Sequence, residues 1–142
     1  MRPPHGCHRV VNLALSDEQV LLREAARDAL SRVKTVQAAR EALDGGAELP
    51  DLWPMACEAG WPGLLIDEEQ GGAGLDAFDA MLVLGECGRV LAGVPLLGHL
   101  PATAILGDAP DAAEFLPALA SGERRCAYLP SRPPDDLSLI HI

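Results

Sequence analysis

The stretch Gly60-Trp61-Pro62-Gly63-Leu64-Leu65-Ile66-Asp67-Glu68-Glu69-Gln70-Gly71-Gly72-Ala73-Gly74-Leu75 constrains this chain more than any other. An apolar entry, an acidic turn and clustered glycines separate two segments of helical pattern. Gly72-Ala73-Gly74-Leu75-Asp76-Ala77 spells G-x-G-x-x-A, a permitted form of the dinucleotide fingerprint. The surroundings argue against that function. The fingerprint needs a strand running directly into the glycines, then a helix and a second parallel strand. Here Asp67, Glu68, Glu69 and Gln70 intervene after Leu64-Leu65-Ile66, and no second β-segment follows. Three carboxylates would repel a pyrophosphate. No Gly-Lys-Ser/Thr follows either, which removes a Walker loop. The expectation is a turn whose glycines permit positive φ and close approach of the backbone to a neighbouring surface.

At 142 residues the chain is long enough for one domain with a real core. Apolar residues make up 49% and aromatics only 4%, so that core is mostly Ala, Leu and Val. Ala and Leu favour helix, and β-branched residues are sparse, which points to an all-α fold. The formal net charge is −10. Residues 1–50 balance seven acids against seven bases, whereas residues 51–142 carry fourteen acids and four bases. Such a surface repels phosphate backbones, so nucleic acid is not an expected partner. Cys7, Cys57, Cys87 and Cys126 form no C-x-x-C pair, so no metal site is predicted. Reduced thiols in a cytoplasmic protein are expected. Residues 90–107 form an eighteen-residue run without a formal charge, interrupted by Pro95, His99 and Pro101. As one helix it would reach ~27 Å, short of a ~30 Å hydrocarbon core, so a buried helix is predicted and not a membrane span.

Taken in order, residues 1–12 read as a disordered leader rich in Pro, His and Arg. Ser16 with Gln19 makes a capping box, and Asp17 and Glu18 suit the positive end of a helix dipole. Val20, Leu21, Ala25, Ala29, Leu30 and Val33 recur at helical spacing over residues 17–33. Further helices are predicted over 35–43, ended by Gly45-Gly46, and over 50–59, opened by Pro50 and ended by Gly60. The latter's apolar face is Leu52, Met55, Ala56 and Ala59, with Trp53 and Trp61 packing at its ends. After the glycine loop a helix spans 76–91. Phe78, Met81, Leu82, Gly85 and Gly88 are its expected packing positions, with Asp79, Glu86 and Arg89 solvated. Pro95 starts a helix over 96–106 that is apolar on nearly every side, a sign of burial in a larger body. Asp108 or Asp111 is expected to cap a short segment through Ala120, ended by Gly122. Residues 125–129 form the first extended-looking stretch. The fold is therefore expected to be an orthogonal or up-down bundle of about five to six helices with a short extended C-terminal segment.

In this order and spacing the motifs resemble the N-terminal helical domain of acyl-CoA dehydrogenases. The opening Leu15-Ser16-Asp17-Glu18-Gln19 looks like the family's first helix. Trp53, then Gly60-Trp61-Pro62-Gly63-Leu64 and Asp67-Glu68-Glu69-Gln70-Gly71-Gly72-Ala73-Gly74-Leu75, resemble its "lGw-gl-vPeeyGGaGl" stretch. Leu84-Gly85-Glu86-Cys87-Gly88-Arg89 resembles "eElGR", and Val94-Pro95-Leu96-Leu97 continues as in many members. Phe115-Leu116-Pro117-Ala118-Leu119-Ala120-Ser121-Gly122-Glu123 resembles "-wLp-lasGe". Departures are Asp67 where the family has Pro, Gln70 where it has an aromatic, and Tyr128-Leu129-Pro130-Ser131-Arg132-Pro133 in place of Thr-Glu-Pro-x-x-Gly-Ser-Asp.

The resemblance implies residues 13–124 as the helical domain. Residues 125–142 would be the start of a missing β-domain plus an aberrant tail, as in a truncated reading frame. It also implies FAD-dependent α,β-dehydrogenation of an acyl-CoA substrate: a carboxylate takes the α proton and flavin takes the β hydride. That carboxylate lies in the family's later domain, so no catalytic residue is assigned and the chain is expected to be inactive alone. By position, Tyr128 and Ser131 are the candidate cofactor contacts. Gly93, Val94, Leu96, Leu97 and Leu100 are the candidates for the substrate-channel wall. Expected partners are an electron-transfer flavoprotein or similar acceptor, in a homo- or hetero-oligomer. Two other readings are a non-catalytic partner subunit of a heteromeric dehydrogenase and a stand-alone helical interaction module. His99, in an apolar helix without a nearby carboxylate, reads as a core or surface histidine and not a base. Asp67, Glu68 and Glu69 read as solvated, Glu86 and Arg89 as a surface i, i+3 pair, and Arg124 and Arg125 as surface cations.

Overall fold

The computed structural model describes residues 14–45 and 48–128. The leader, Ser131 and the tail lie outside them. Among the described residues the regular structure is entirely helical: α1 (Asp17–Ser31), α2 (Thr35–Leu43), α3 (Trp53–Glu58), α4 (Ala77–Arg89), α5 (Leu96–Gly107) and α6 (Leu116–Ala120). Short 3-10 turns at Trp61–Gly63, Glu68–Gln70 and Pro110–Phe115 join them. No helix among the described residues is long and apolar enough to cross a membrane.

The opening of α1 matches the sequence closely. Ser16 Oγ accepts the Gln19 N–H, and the Gln19 side chain accepts the Ser16 N–H, both at 3.1 Å. The same device opens α4, where Asp76 accepts the N–H groups of Phe78 and Asp79 at 2.8 and 3.0 Å. The helix expected over 50–59 is shorter. It begins at Trp53 with Pro54 in its first turn, where a missing N–H costs nothing, and Pro50 stays outside it. Neither Asp108 nor Asp111 caps a helix with its side chain. Pro110 instead opens a 3-10 turn after Ala109, and Asp108 closes α5.

α1 and α4 lie along each other. Ala26 and Leu30 of α1 join Ala80, Val83 and Cys87 of α4, and the core continues through Trp53, Ala56, Trp61, Leu64, Leu96 and Leu100. A smaller cluster of Ile66, Leu116, Leu119 and Ala120 sits beside it.

The buried face of α4 corrects the expectation. Phe78 and Met81 are exposed, whereas Glu86 is buried at 6% relative exposure. Helical periodicity permits either face to turn inward. Arg27 decides the matter from α1: its Nη2 and Nε reach the Glu86 carboxylate at 2.7 and 3.2 Å. Arg89 adds its Nε at 2.7 Å, so the i, i+3 pair exists but belongs to a covered three-residue cluster. The hydrogen bond from Arg27, supported by Arg89, holds the Glu86 carboxyl down at about 2 against the opposing effect of burial. The two arginines themselves stay about half exposed, so the carboxylate is covered by its partners and not by depth.

The glycine loop is a compact knot. Residues 72–75 fold back over 63–66, with Ala73 N–H donating to Gly63 O, Gly74 N–H to Ile66 O and Leu75 N–H to Leu64 O, at 2.8–2.9 Å. Gly71 takes φ +85. At Gly72 the limit is space: a Cβ there would lie 2.0 Å from the Ile66 carbonyl oxygen. The acids Asp67, Glu68 and Glu69 are all exposed, outside the knot.

Gly72→Ala should destabilise by more than about 3 kcal/mol, because backbone must move, whereas Gly71→Ala should cost about 1–2 kcal/mol from its left-handed φ alone; urea denaturation ranks the two. Glu86 has a folded pKa below its ordinary 4.5, so its contribution is present above that value and is lost as pH falls toward about 2. Glu86→Gln should therefore remove about 1–3 kcal/mol at neutral pH and flatten the acid limb of the stability curve, measured by chemical denaturation from pH 7 to pH 2.

Candidate functional site

An apolar groove runs between α4 and α5. Ala77, Ala80 and Leu84 line it from α4, Leu97, Leu100, Pro101 and Ala104 from α5, and Leu65 from the knot. Its volume is about 280 Å³. No acid, base or nucleophile lies in the lining, so the groove can desolvate an apolar group but cannot move a proton. The sequence folds this way because α5 buries Leu96, His99, Leu100 and Thr103 inward and leaves Leu97 at 75% and Ile105 at 53% exposure. The small side chains of Ala77, Ala80 and Ala104 keep the space between the helices open.

The five expected wall residues separate. Leu97 and Leu100 come together in the groove. Leu96 is fully buried in the core, Gly93 is exposed, and Val94 packs against the core from the turn before α5. By position the expected wall lies at the start of α5, but a helix turns by about 100° per residue, so Leu96 and Leu97 face different ways. Leu65, Ala77, Ala80, Leu84, Pro101 and Ala104 were missed. The signal that could have found them was the run of small and apolar residues on α4 next to the apolar surface of α5.

Beside the groove, residues 125–128 lie against the first turn of α5. The Tyr128 N–H donates to Gly98 O at 2.9 Å, and the Cys126 N–H donates to His99 Nδ1 at 3.3 Å. Gly98 makes this approach possible, since a Cβ there would stand 3.2 Å from Ala127 Cβ. His99 is 1% exposed and meets the Trp53 ring edge-on, centroids 5.2 Å apart. Burial pushes its imidazole below the ordinary value, opposed by the nearby backbone of Leu119, Pro62 and Cys126. It is a core histidine that the fold uses, not a base facing the groove. Trp53 Nε1–H donates to Gly122 O at 2.9 Å, and a Cβ at Gly122 would collide with Cys57 Sγ. The Arg125 guanidinium stacks over Trp53 at 4.6 Å, and that of Arg124 lies 5.8 Å from the Phe115 centroid. Both cations have these local roles.

The family model for the acyl-CoA dehydrogenase N-terminal domain matches residues 16–123. The chain belongs to the acyl-CoA dehydrogenase family. Acyl-CoA dehydrogenase IpdE2 of Mycolicibacterium smegmatis is 41% identical over 88 residues, which cover 59% of this chain and 28% of the relative. IpdE2 of Mycobacterium tuberculosis is 38% identical over 110 residues, covering 75% of this chain and 34% of that protein. Among solved structures, a variant of the Tcur3481-Tcur3483 steroid ACAD superposes with a TM-score of 0.63 at 33% identity, over 77% of this chain and 31% of the other. The chain thus spans about a third of the length of these relatives.

For a flavin, the cofactor of this family, the described residues offer the half-exposed ring of Tyr128, whose backbone N–H is bonded to Gly98 O. Such a ring suits stacking on, or hydrogen bonding to, an isoalloxazine. The described residues form no cradle of donors for its phosphates around that ring.

The Trp53–Gly122 bond ties α3 to the chain after α6. Trp53→Phe trims the buried ring and leaves the Gly122 carbonyl without its donor, at an expected cost of at least about 1–3 kcal/mol read as a lowered urea midpoint.

Proposed function

We propose that this chain supplies the helical wall of the acyl channel in a FAD-dependent acyl-CoA dehydrogenase. The observation that carries the reading is the α4–α5 groove: continuous apolar lining, an opening to solvent through Leu97, and no ionisable group. An acyl chain laid there gains ~0.8 kcal/mol for each buried CH₂. Leu97, Leu100, Pro101 and Leu84 contact the chain, while Leu96 supports α5 from beneath and Gly93 and Val94 shape the turn that leads into it.

When bound, the flavin of this family accepts the hydride from the β carbon. Tyr128 is the proposed contact to it from the described segment, and Ser131 the proposed contact just beyond. The groove's own residues cannot accept the α proton, so these residues alone do not complete the reaction. Electrons then pass to an electron-transfer flavoprotein or a similar acceptor, and the enzyme works as a cytoplasmic homo- or hetero-oligomer. The reading as a wall-lending subunit shares the same groove. The exposed apolar surface of α5 favours either over a free-standing interaction module, because such a surface calls for cover.

Calorimetric titration of the 142-residue chain with octanoyl-CoA and with free CoA tests the reading. The acyl thioester should bind tighter than free CoA, and Leu97→Asp should weaken it by at least about tenfold, which is about 1.4 kcal/mol. Leu97 is 75% exposed, so the substitution should leave the melting temperature nearly unchanged. Equal binding of octanoyl-CoA and CoA, or full binding by the variant, sinks the wall.

A further inference from the structure

His99 carries an inference that the groove does not. Its Nδ1 accepts the Cys126 N–H, which leaves the proton of the neutral ring on Nε2. That nitrogen is buried and makes no hydrogen bond of good geometry, although the Leu119 and Pro62 carbonyls lie about the ring. A buried donor left this way is a cost, and the ring's compensation is on its other side. Nδ1 meets the Cys126 N–H and stands 3.6 Å from Cys126 Sγ, and the same thiol reaches His99 O at 3.8 Å. Two residues further on, Tyr128 N–H is bonded to Gly98 O. The two backbone donors of this segment, at alternate residues, therefore meet adjacent residues of α5, one through a side chain.

We propose that His99 is a positioning residue: its imidazole latches residues 125–128 onto the first turn of α5 and so sets where Tyr128 stands. The significance of that placement rests on the reading of Tyr128 as a flavin contact, whereas the latch itself does not. The alternatives are poorer. Without an acceptor at Nδ1, the Cys126 N–H would lose its partner beside a buried ring, and of the two backbone N–H bonds from the segment to α5 the Tyr128–Gly98 bond alone would remain. Gly98 admits the segment and His99 retains it.

The latch is also sensitive to protonation, because an imidazolium has no acceptor at Nδ1. The titratable and charged groups near the ring are few among the described residues. On the extended segment there is the Cys126 thiol, which burial keeps protonated. On α3, Cys57 lies against Gly122, and Arg125 lies over the Trp53 ring. The 3-10 turn at Trp61–Gly63 and α6 present the backbone of Pro62 and Leu119. Asp51 pairs with Arg125 at 3.8 Å; among the described residues no carboxylate is bonded to the imidazole, so the latch is closed at neutral pH and opens as pH falls below the ordinary imidazole range.

Residue-resolved amide exchange on the full chain tests this. In the wild type the Cys126 and Tyr128 amides should be protected at neutral pH and lose protection on acidification while α1 and α4 amides keep theirs. His99→Phe should lower protection at both amides by about tenfold or more at neutral pH. His99→Asn, which keeps an oxygen acceptor near Nδ1 but cannot titrate, should retain protection and abolish its pH dependence. Unchanged protection in His99→Phe overturns the latch. So does pH-independent protection in the wild type, or loss at 126 and 128 only together with α1 and α4. A parallel FAD titration, followed by flavin fluorescence, separates the two readings. If Tyr128→Ala and His99→Phe weaken FAD binding alike, His99 acts through Tyr128. If exchange reports the latch and FAD binding ignores both substitutions, the flavin role of Tyr128 fails and positioning for flavin fails with it.

Discussion

The close approach of Gly72 to the Ile66 carbonyl is the constraint on which the architecture depends. No side chain fits between these two pieces of backbone, and three successive N–H groups from residues 73–75 bond back to residues 63–66. These bonds pair the N–H groups of residues 73–75 within the knot itself. It places Leu65 at the groove and starts α4 immediately afterwards through the Asp76 cap. The start of α4, and with it one side of the groove, is thereby set by a loop that also lends Leu65 to the lining.

A second restraint orients α4 about its own axis. The Arg27–Glu86–Arg89 cluster turns the Ala80–Val83–Cys87 face inward and leaves Phe78 and Met81 outside. A buried carboxylate is costly unless paired, and here each oxygen has an arginine partner. The cluster favours one rotation of α4 over another, an effect that apolar packing of so many small residues would specify weakly.

The third restraint is the Trp53–His99–Gly122 region, where α3, α5 and the chain after α6 meet. Trp53 offers its indole N–H to one segment and its ring faces to His99 and Arg125. This region anchors the groove-bearing helix from behind and delivers residues 125–128 to its first turn. The apolar groove and residues 125–128 are thus held to one helix by unlike interactions, apolar on one side and hydrogen-bonded on the other.

Much of this was legible in the residues themselves. Ser16 with Gln19 wrote its own cap and the Ala- and Leu-rich composition specified helices, because each of these effects acts over one or two turns of chain. The ordered motifs carried the family. What the sequence left open was facing. Glu86 read as solvated because its partner Arg27 lies 59 residues away. Leu96 and Leu97 read as equivalent because apolar character says nothing about which side of a helix meets the core. His99 read as bland because a histidine's role depends on the atom opposite each ring nitrogen. Local propensity and short-range hydrogen bonds determine where helices begin and end. Only the tertiary structure, by bringing distant charges and backbone groups into contact, decides which face is core, which is groove, and which residue holds the segment between them.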